Sequence, residues 1–286
     1  MAGTIIITGA NGSLATPAVE ILLSKHPGYN LILTADKVSI RQLGLADLSA
    51  VHEFATVVAG ETKSGKLPPL SELTGDGYEK TFQVNHIAHA ALVLRLIGYF
   101  KPESAGRIVL FGSENHWPGK DALEKHPPAI PDNLEALVKP LVQLPADPTG
   151  RGLEHYANSK LAIIMWMYAL NRYLENDPAL RHVTAIAVNP GNLGDSRPLR
   201  VNTTMFIFFL SWFILRPFLF ILRRVVDPTM RTSREAAADI VEFATNTASP
   251  GERGYFTLSK KDVSSPDSFD EEKQEKLWQK ILELAL

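Results

Sequence analysis

A tyrosine and a lysine stand four apart in Tyr156-Ala157-Asn158-Ser159-Lys160. On a helix that spacing projects both side chains from one face. A phenol titrates near ~10, too high to exchange protons readily at neutral pH. A fixed ammonium beside it favours phenolate. Lowering its pKa by about 3 units takes roughly 4 kcal/mol of differential interaction, within reach of a partly desolvated cleft. Tyr156 then acts as general acid toward a carbonyl, or as base toward an alcohol. A surface helix with an ordinary Tyr and Lys satisfies the same spacing.

A second candidate is Thr8-Gly9-Ala10-Asn11-Gly12-Ser13, which follows the β-branched run Thr4–Thr8. Glycines at a strand-to-helix turn let backbone approach a pyrophosphate, and the helix N-terminus offers free N–H groups and partial positive charge. A plain tight turn has the same composition.

The elements that must position these residues read as alternating strands and helices. Strands are expected at Thr4–Thr8, Asn30–Ala35, Val38–Leu43, Arg107–Phe111, Val183–Val188 and Gly254–Thr257. Short apolar β-branched runs of this kind suit strands buried on both faces. Helices are expected at Thr16–Lys25, from Asp47 as cap to Ala59, and at Gly77–Phe100, Leu153–Glu175, Ser233–Ala244 and Glu271–Leu286. The 286 residues read as one α/β domain, a doubly wound, mostly parallel three-layer sheet of the nucleotide-binding kind. Ser113–Gly150 holds seven prolines and reads as a long loop, with 114–150 as an insert.

Composition narrows the function. A net charge of −2 gives no basic footprint for nucleic acid. There are no cysteines, which excludes disulfides, thiolate catalysis and zinc–thiolate sites and fits a reducing compartment. Without a signal-peptide pattern, the chain is expected to be cytoplasmic. Met205–Leu222 (MFIFFLSWFILRPFLFIL) is strongly apolar but interrupted by Arg216-Pro217. It is short for a span and reads as part of an apolar lid over the substrate (197–230), with peripheral membrane contact as the other option. His86, His89, His116 and His155 read as packing or pocket-rim residues, and no metal is expected.

Taken in order, these motifs resemble the short-chain dehydrogenase/reductase family over nearly the whole chain. The matching residues are Thr8-Gly9, Asp47-Leu48, Asn85 in FQVNHIAH, Ser113 in RIVLFGS, Tyr156 with Lys160, and Asn189-Pro190-Gly191. The resemblance implies an oxidoreductase that interconverts a carbonyl and an alcohol with NAD(P). It implies that Ser113 bonds the substrate oxygen, that Tyr156 transfers the proton, and that Lys160 lowers the Tyr156 pKa and binds the nicotinamide ribose. Asn85 would hold a water in the proton relay, and Pro190, Gly191 and Leu193 would line the nicotinamide pocket. Asp47 would touch the adenine, while Thr8, Gly9, Asn11, Gly12, Ser13 and Leu14 would form the phosphate turn. Homo-oligomers formed through the two long helices are also implied. The long Ser113–Tyr156 connection resembles retinol-dehydrogenase-like and fungal secondary-metabolism members, and suggests a bulky lipophilic substrate.

Three departures stand against this pattern. Ser13 and Ala15 replace the second and third glycines of the family's TGxxxGxG turn, with Gly12 one place early. Only two residues separate the second strand from Val38, too few for a parallel crossover, which needs at least ~10. No NNAG strand is found between Ala59 and Tyr78. Asp36 after the second strand favours NAD, yet Lys37 is adjacent, so NAD and NADP both stay open. The alternative to an active enzyme is a redox-inactive relative that keeps the outline of the site for binding.

Overall fold

The structure of the chain, a computed structural model, describes residues 3–34, 73–121, 124–140, 147–195 and 219–285. In chain order the elements are β1 (Thr4–Ile7), α1 (Ala15–Lys25), β2 (Asn30–Leu33) and α2. That last helix runs as Lys80–Phe82, a π turn Gln83–Ile87 and Ala88–Leu96. Then come β3 (Gly106–Phe111), α3 (Glu135–Val138), α4 (Pro148–Asn176), β4 (Val183–Asn189) and α5 (Leu219–Val225). The chain closes with α6 (Ser233–Ala244), β5 (Gly254–Thr257), β6 (Lys260–Lys261) and α7 (Glu271–Ala285). The expected third strand Val38–Leu43, the helix capped by Asp47, and Met205 through Phe218 of the apolar segment lie outside the described residues. No helix among the described residues is long and apolar enough to cross a membrane.

The chain forms two compact units, residues 1–67 with 192–242, and 68–191 with 243–286. In the first, β1 and β2 pair in parallel from Thr4↔Asn30 to Ile7↔Leu33, joined by α1 as a βαβ crossover. Ile5 packs with Ala18, Ile21 and Leu22 of α1, and with Ala237 and Val241 of α6. A strand buried on both faces was the expectation. Instead Ile6 and Ile32 are 39% and 49% exposed, because among the described residues only one face of this two-stranded sheet meets a helix.

In the second unit the order is β3-β4-β5-β6, parallel except for the antiparallel β5–β6 pair. The fold class is therefore α/β with a mostly parallel sheet, and the described strands divide into a two-stranded and a four-stranded piece. Where an NNAG strand was sought, the described part (73–78) carries only an isolated bridge, Leu73↔Glu79.

The helix α4 is the spine of this unit. Leu161, Ile164, Met165, Trp166 and Leu170 are all fully buried. The helix is pinned to β4 by Asn171, whose Nδ2 donates to the Ala185 carbonyl at 2.9 Å and whose Oδ1 accepts the Ala185 N–H at 3.0 Å. Ala185 precedes the stretch of β4 that β5 pairs with, so a side chain completes that part of the ladder. On the other side Trp278 of α7 stacks on Trp166 with centroids 5.7 Å apart.

Two boundaries differ from expectation for local reasons. The helix expected from Gly77 starts at Lys80, because Gly77 has φ +80 in a turn and the buried Glu79 carboxylate caps the Thr81 and Phe82 N–H groups at 3.0 and 2.6 Å. The insert expected as loop through Gly150 contains α3 and gives way to α4 at Pro148. Asp147 accepts the Gly150 N–H at 3.1 Å as N-cap, and proline at the first helical position needs no partner for a missing N–H.

Candidate active site

Tyr156 and Lys160 occupy successive turns of α4, whose register the Asn171 clamp fixes. Ser113 follows β3 by one residue, in an extended conformation (φ −163, ψ 154), and caps the short 3₁₀ turn Glu114–His116. The Ser113 side chain stands close enough to the Tyr156 phenol to lower its pKa. Ser113 Oγ also donates to Asn115 Oδ1 at 2.9 Å, and Asn115 Nδ2 donates to Asp121 Oδ2 at 2.5 Å. A polar chain thus runs Ser113–Asn115–Asp121 beside Tyr156.

Lys160 is buried at 8% exposure. Its Nζ donates to the Phe111 carbonyl at 2.9 Å and stands 5.4 Å from the centre of the Tyr156 ring. Asn85 lies in the π turn of α2, a widened turn that re-aims a side chain. Its Nδ2 donates to Ser159 Oγ at 3.0 Å, and Ser159 Oγ donates to the Tyr156 carbonyl at 2.7 Å. After β4, the Gly191 N–H donates to Asn189 Oδ1 at 3.0 Å, and Gly191 takes φ +81, a conformation open to glycine.

The electrostatics differ from the simple expectation that Lys160 lowers Tyr156. Burial pushes the Tyr156 phenol above its ordinary value, the neighbouring Ser113 side chain opposes that shift, and the nearby Asp121 carboxylate adds to it. Burial alone brings Lys160 down to about 8. The physical reason is shared: both groups sit where charge is poorly solvated, so each is pushed toward its neutral form. A neutral, protonated Tyr156 is the form that can donate to a carbonyl oxygen.

Ser113, Asn85, Tyr156 and Lys160 are therefore brought together within the second unit, which also holds Pro190 and Gly191. Thr8, Gly9, Asn11, Gly12, Ser13, Leu14 and Leu193 belong to the first unit. There Gly9 adopts φ +62 and its carbonyl accepts the Gly12 N–H at 2.8 Å; a Cβ on Gly12 would stand 3.0 Å from that oxygen. The N-terminus of α1 has no side-chain cap and no acidic residue in its first turn, so its backbone donors suit an anionic group such as a pyrophosphate. Asp36 and Asp47 lie outside the described residues.

Sequence reasoning passed over Asn115 and Asp121. The signal for Asn115 was its place two residues after Ser113 at the start of a 3₁₀ turn, where an amide reaches back to the preceding hydroxyl. Nothing local marks Asp121. His116, expected as packing or at a pocket rim, has no exposure at all and makes two directed hydrogen bonds. His86 is likewise buried, between Phe82 and Trp166.

Comparison with known proteins gives consistent matches. Residues 198–285 match the family described as the AcuH dehydrogenase domain. The short-chain dehydrogenase iccH of Talaromyces variabilis is 27% identical over 352 aligned residues, covering 99% of this chain and 95% of its own length. That alignment is longer than this chain's 286 residues, so the relative contains segments with no counterpart here. The dehydrogenase acuH of Aspergillus aculeatus is 46% identical over 83 residues, covering 29% of this chain and 84% of its own. Among solved structures, an uncharacterized protein from Mycobacterium paratuberculosis superposes with a TM-score of 0.54 at 21% identity, covering 99% of this chain and 92% of that one. That likeness bears on the fold.

Proposed function

This chain belongs to the short-chain dehydrogenase/reductase family and is an oxidoreductase of that type; from that premise we propose that it interconverts a carbonyl and an alcohol on a lipophilic substrate with NAD(P), using Tyr156 as the proton carrier. The observation that carries the reading is the Lys160 ammonium 5.4 Å from the centre of the buried Tyr156 ring, with the Ser113 side chain close enough to lower the same phenol.

When bound, the nicotinamide supplies the hydride to the carbonyl carbon or accepts it from the alcohol carbon. Gly9, Gly12 and the α1 N-terminus would hold the pyrophosphate, and Lys160 the nicotinamide ribose. Tyr156 donates its hydroxyl proton to the substrate oxygen in reduction and takes it back in oxidation. Ser113 fixes that oxygen beside Tyr156. To donate to a substrate carbonyl, Ser113 must turn its proton away from Asn115 Oδ1, so Asn115 competes with the substrate for it. Lys160, lowered to about 8 by burial, keeps enough charge at neutral pH to favour phenolate as the proton leaves. The apolar composition of 205–222 supports a lipophilic ketone or secondary alcohol as substrate class.

A second reading is favoured by one observation: the alignment with the Talaromyces relative runs past this chain's length, so that relative holds segments with no counterpart here. A chain without those segments could keep Ser113 and Tyr156 in place and still hold cofactor poorly. Titrating the folded protein with NADPH and with NADH, followed by reduced-nicotinamide fluorescence, separates the two. Micromolar binding of either supports an oxidoreductase; no binding by folded protein leaves a redox-inactive relative. A Tyr156→Phe variant that binds cofactor but turns over as fast as the parent would remove Tyr156 from its role.

A further inference from the structure

His116 lies three residues past Ser113 and has 0% exposure. Its Nδ1 is 2.5 Å from the main-chain carbonyl of Ser113, and its Nε2 is 3.0 Å from the N–H of Ser265, which lies 149 residues further along the chain. A backbone N–H can only donate, so Nε2 must be the lone-pair nitrogen and Nδ1 must carry the proton to the Ser113 oxygen. Both nitrogens are thus committed and the tautomer is fixed.

The far end of this link is itself rigid. Ser264 Oγ bonds the Tyr168 hydroxyl at 2.8 Å and Ser268 Oγ at 2.7 Å. Ser268 Oγ donates to the Ser265 carbonyl at 2.6 Å, and Gln274 Nε2 donates to the Ser268 carbonyl at 2.6 Å. The ring of His116 also rests on Tyr255 of β5, centroids 4.8 Å apart.

We infer that His116 is a positioning residue: it ties the main chain of Ser113 to the Ser264–Ser268 turn ahead of α7, so that the C-terminal segment sets where the Ser113 hydroxyl meets Tyr156. The inference rests on the reading that Ser113 and Tyr156 handle the substrate oxygen. A loop residue held only by the preceding strand has freedom to shift. Misplacement by about 1 Å can cost on the order of a hundredfold in rate, even where binding is intact.

The test uses the full chain, with benzylacetone as a lipophilic ketone probe and NADPH or NADH as reductant. His116→Leu keeps the bulk and removes both hydrogen bonds; His116→Asn keeps an amide where Nδ1 stood. Ser265→Pro removes the far N–H at a residue whose φ of −55 already suits proline, and puts a ring carbon in its place that the shorter side chain of His116→Leu must accommodate. The expected result for His116→Leu is a fall in kcat of about tenfold or more with cofactor Kd changed less than about twofold. His116→Asn recovers part of the loss, and His116→Leu combined with Ser265→Pro is no slower than His116→Leu alone. Equal kcat in His116→Leu and the parent, or equal loss in the Leu and Asn variants, overturns the inference.

A readout independent of turnover is the ¹⁵N spectrum of the histidine rings. His116 protonated at Nδ1 and bare at Nε2 supports the tether, and a proton on Nε2 overturns it. Failure of the parent to bind either reduced nicotinamide sinks the functional reading instead, and the ring spectrum still decides for His116.

Discussion

The ammonium of Lys160 donates to the main-chain carbonyl of Phe111, the last residue of β3, at 2.9 Å, while standing 5.4 Å from the Tyr156 ring centre. The lysine is therefore anchored to the strand that leads into Ser113, and the helix bearing Tyr156 is held against that strand by the same side chain. Binding Lys160 to backbone rather than to a carboxylate leaves its charge unneutralised in a buried place.

Replacing Tyr156 with Phe removes the proton and keeps the ring. The expected outcome is a loss of turnover of about 10²–10⁴-fold, the usual worth of a positioned acid or base. Binding of reduced nicotinamide, measured by fluorescence, should hold within about threefold, because the loss falls on proton transfer rather than on ground-state binding.

Lys160→Met should make the protein more stable and less active. Burial lowers the lysine to about 8, so below that pH the folded chain carries a charge it disfavours, and the unfolded chain does not suffer this. The penalty is full below about 8 and fades as pH rises toward the ordinary lysine value near 10.5. Urea unfolding at pH 7 should show a gain of about 1–2 kcal/mol over the parent, vanishing toward pH 10. A variant less stable than the parent at pH 7 would contradict this account.

The buried histidines make folding sensitive to acid. Burial holds His86 at about 3 and His116 at about 4, below the ordinary 6.5. As pH falls through 6.5 the unfolded chain takes up protons that the native chain refuses, so stability drops from 6.5 down to about 4 for His116 and about 3 for His86. His86→Leu should flatten that fall, gaining about 1–2 kcal/mol relative to the parent between pH 7 and pH 5 in denaturant midpoints. At pH 7.5 it should cost little, since His86 Nε2 has no hydrogen-bond partner to lose.

Arg107 on β3 holds a strained turn. Its guanidinium donates to Asn246 Oδ1 (2.7 Å), the Ser249 carbonyl (2.5 Å) and the Glu252 carbonyl (2.6 Å). Asn246 and Ser249 both take positive φ, at 59 and 47 degrees, a conformation that costs an ordinary residue about 1–2 kcal/mol. Arg107→Lys keeps the charge but not the fork, and should lower stability by about 1–3 kcal/mol. Ser249→Gly, tested by thermal unfolding, should move the other way by up to about 1 kcal/mol.

Much of this protein was legible from its residues. The β-branched run at Thr4, the glycine turn at Gly9 and Gly12, and the four-residue step from Tyr156 to Lys160 follow from short-range rules, because strand pleat, positive φ and helical period act within a few residues. The start of α4 was not read, because the cap and first-turn proline in Asp147-Pro148 sit at the end of a proline-rich stretch that reads as loop.

Contacts between distant residues were not. That Asn171 completes the ladder of β4, that Asp121 stands near Tyr156, and that His116 reaches Ser265 depend on which segments pack together. The sequence by itself determined which groups are offered: a phenol and an amine four residues apart, and a hydroxyl after β3 that the family resemblance adds to them. Tertiary structure alone decided the protonation of those groups, since desolvation is a property of the packed surroundings. It raises Tyr156, lowers Lys160, and fixes the tautomer of His116 by placing one backbone donor against its second nitrogen.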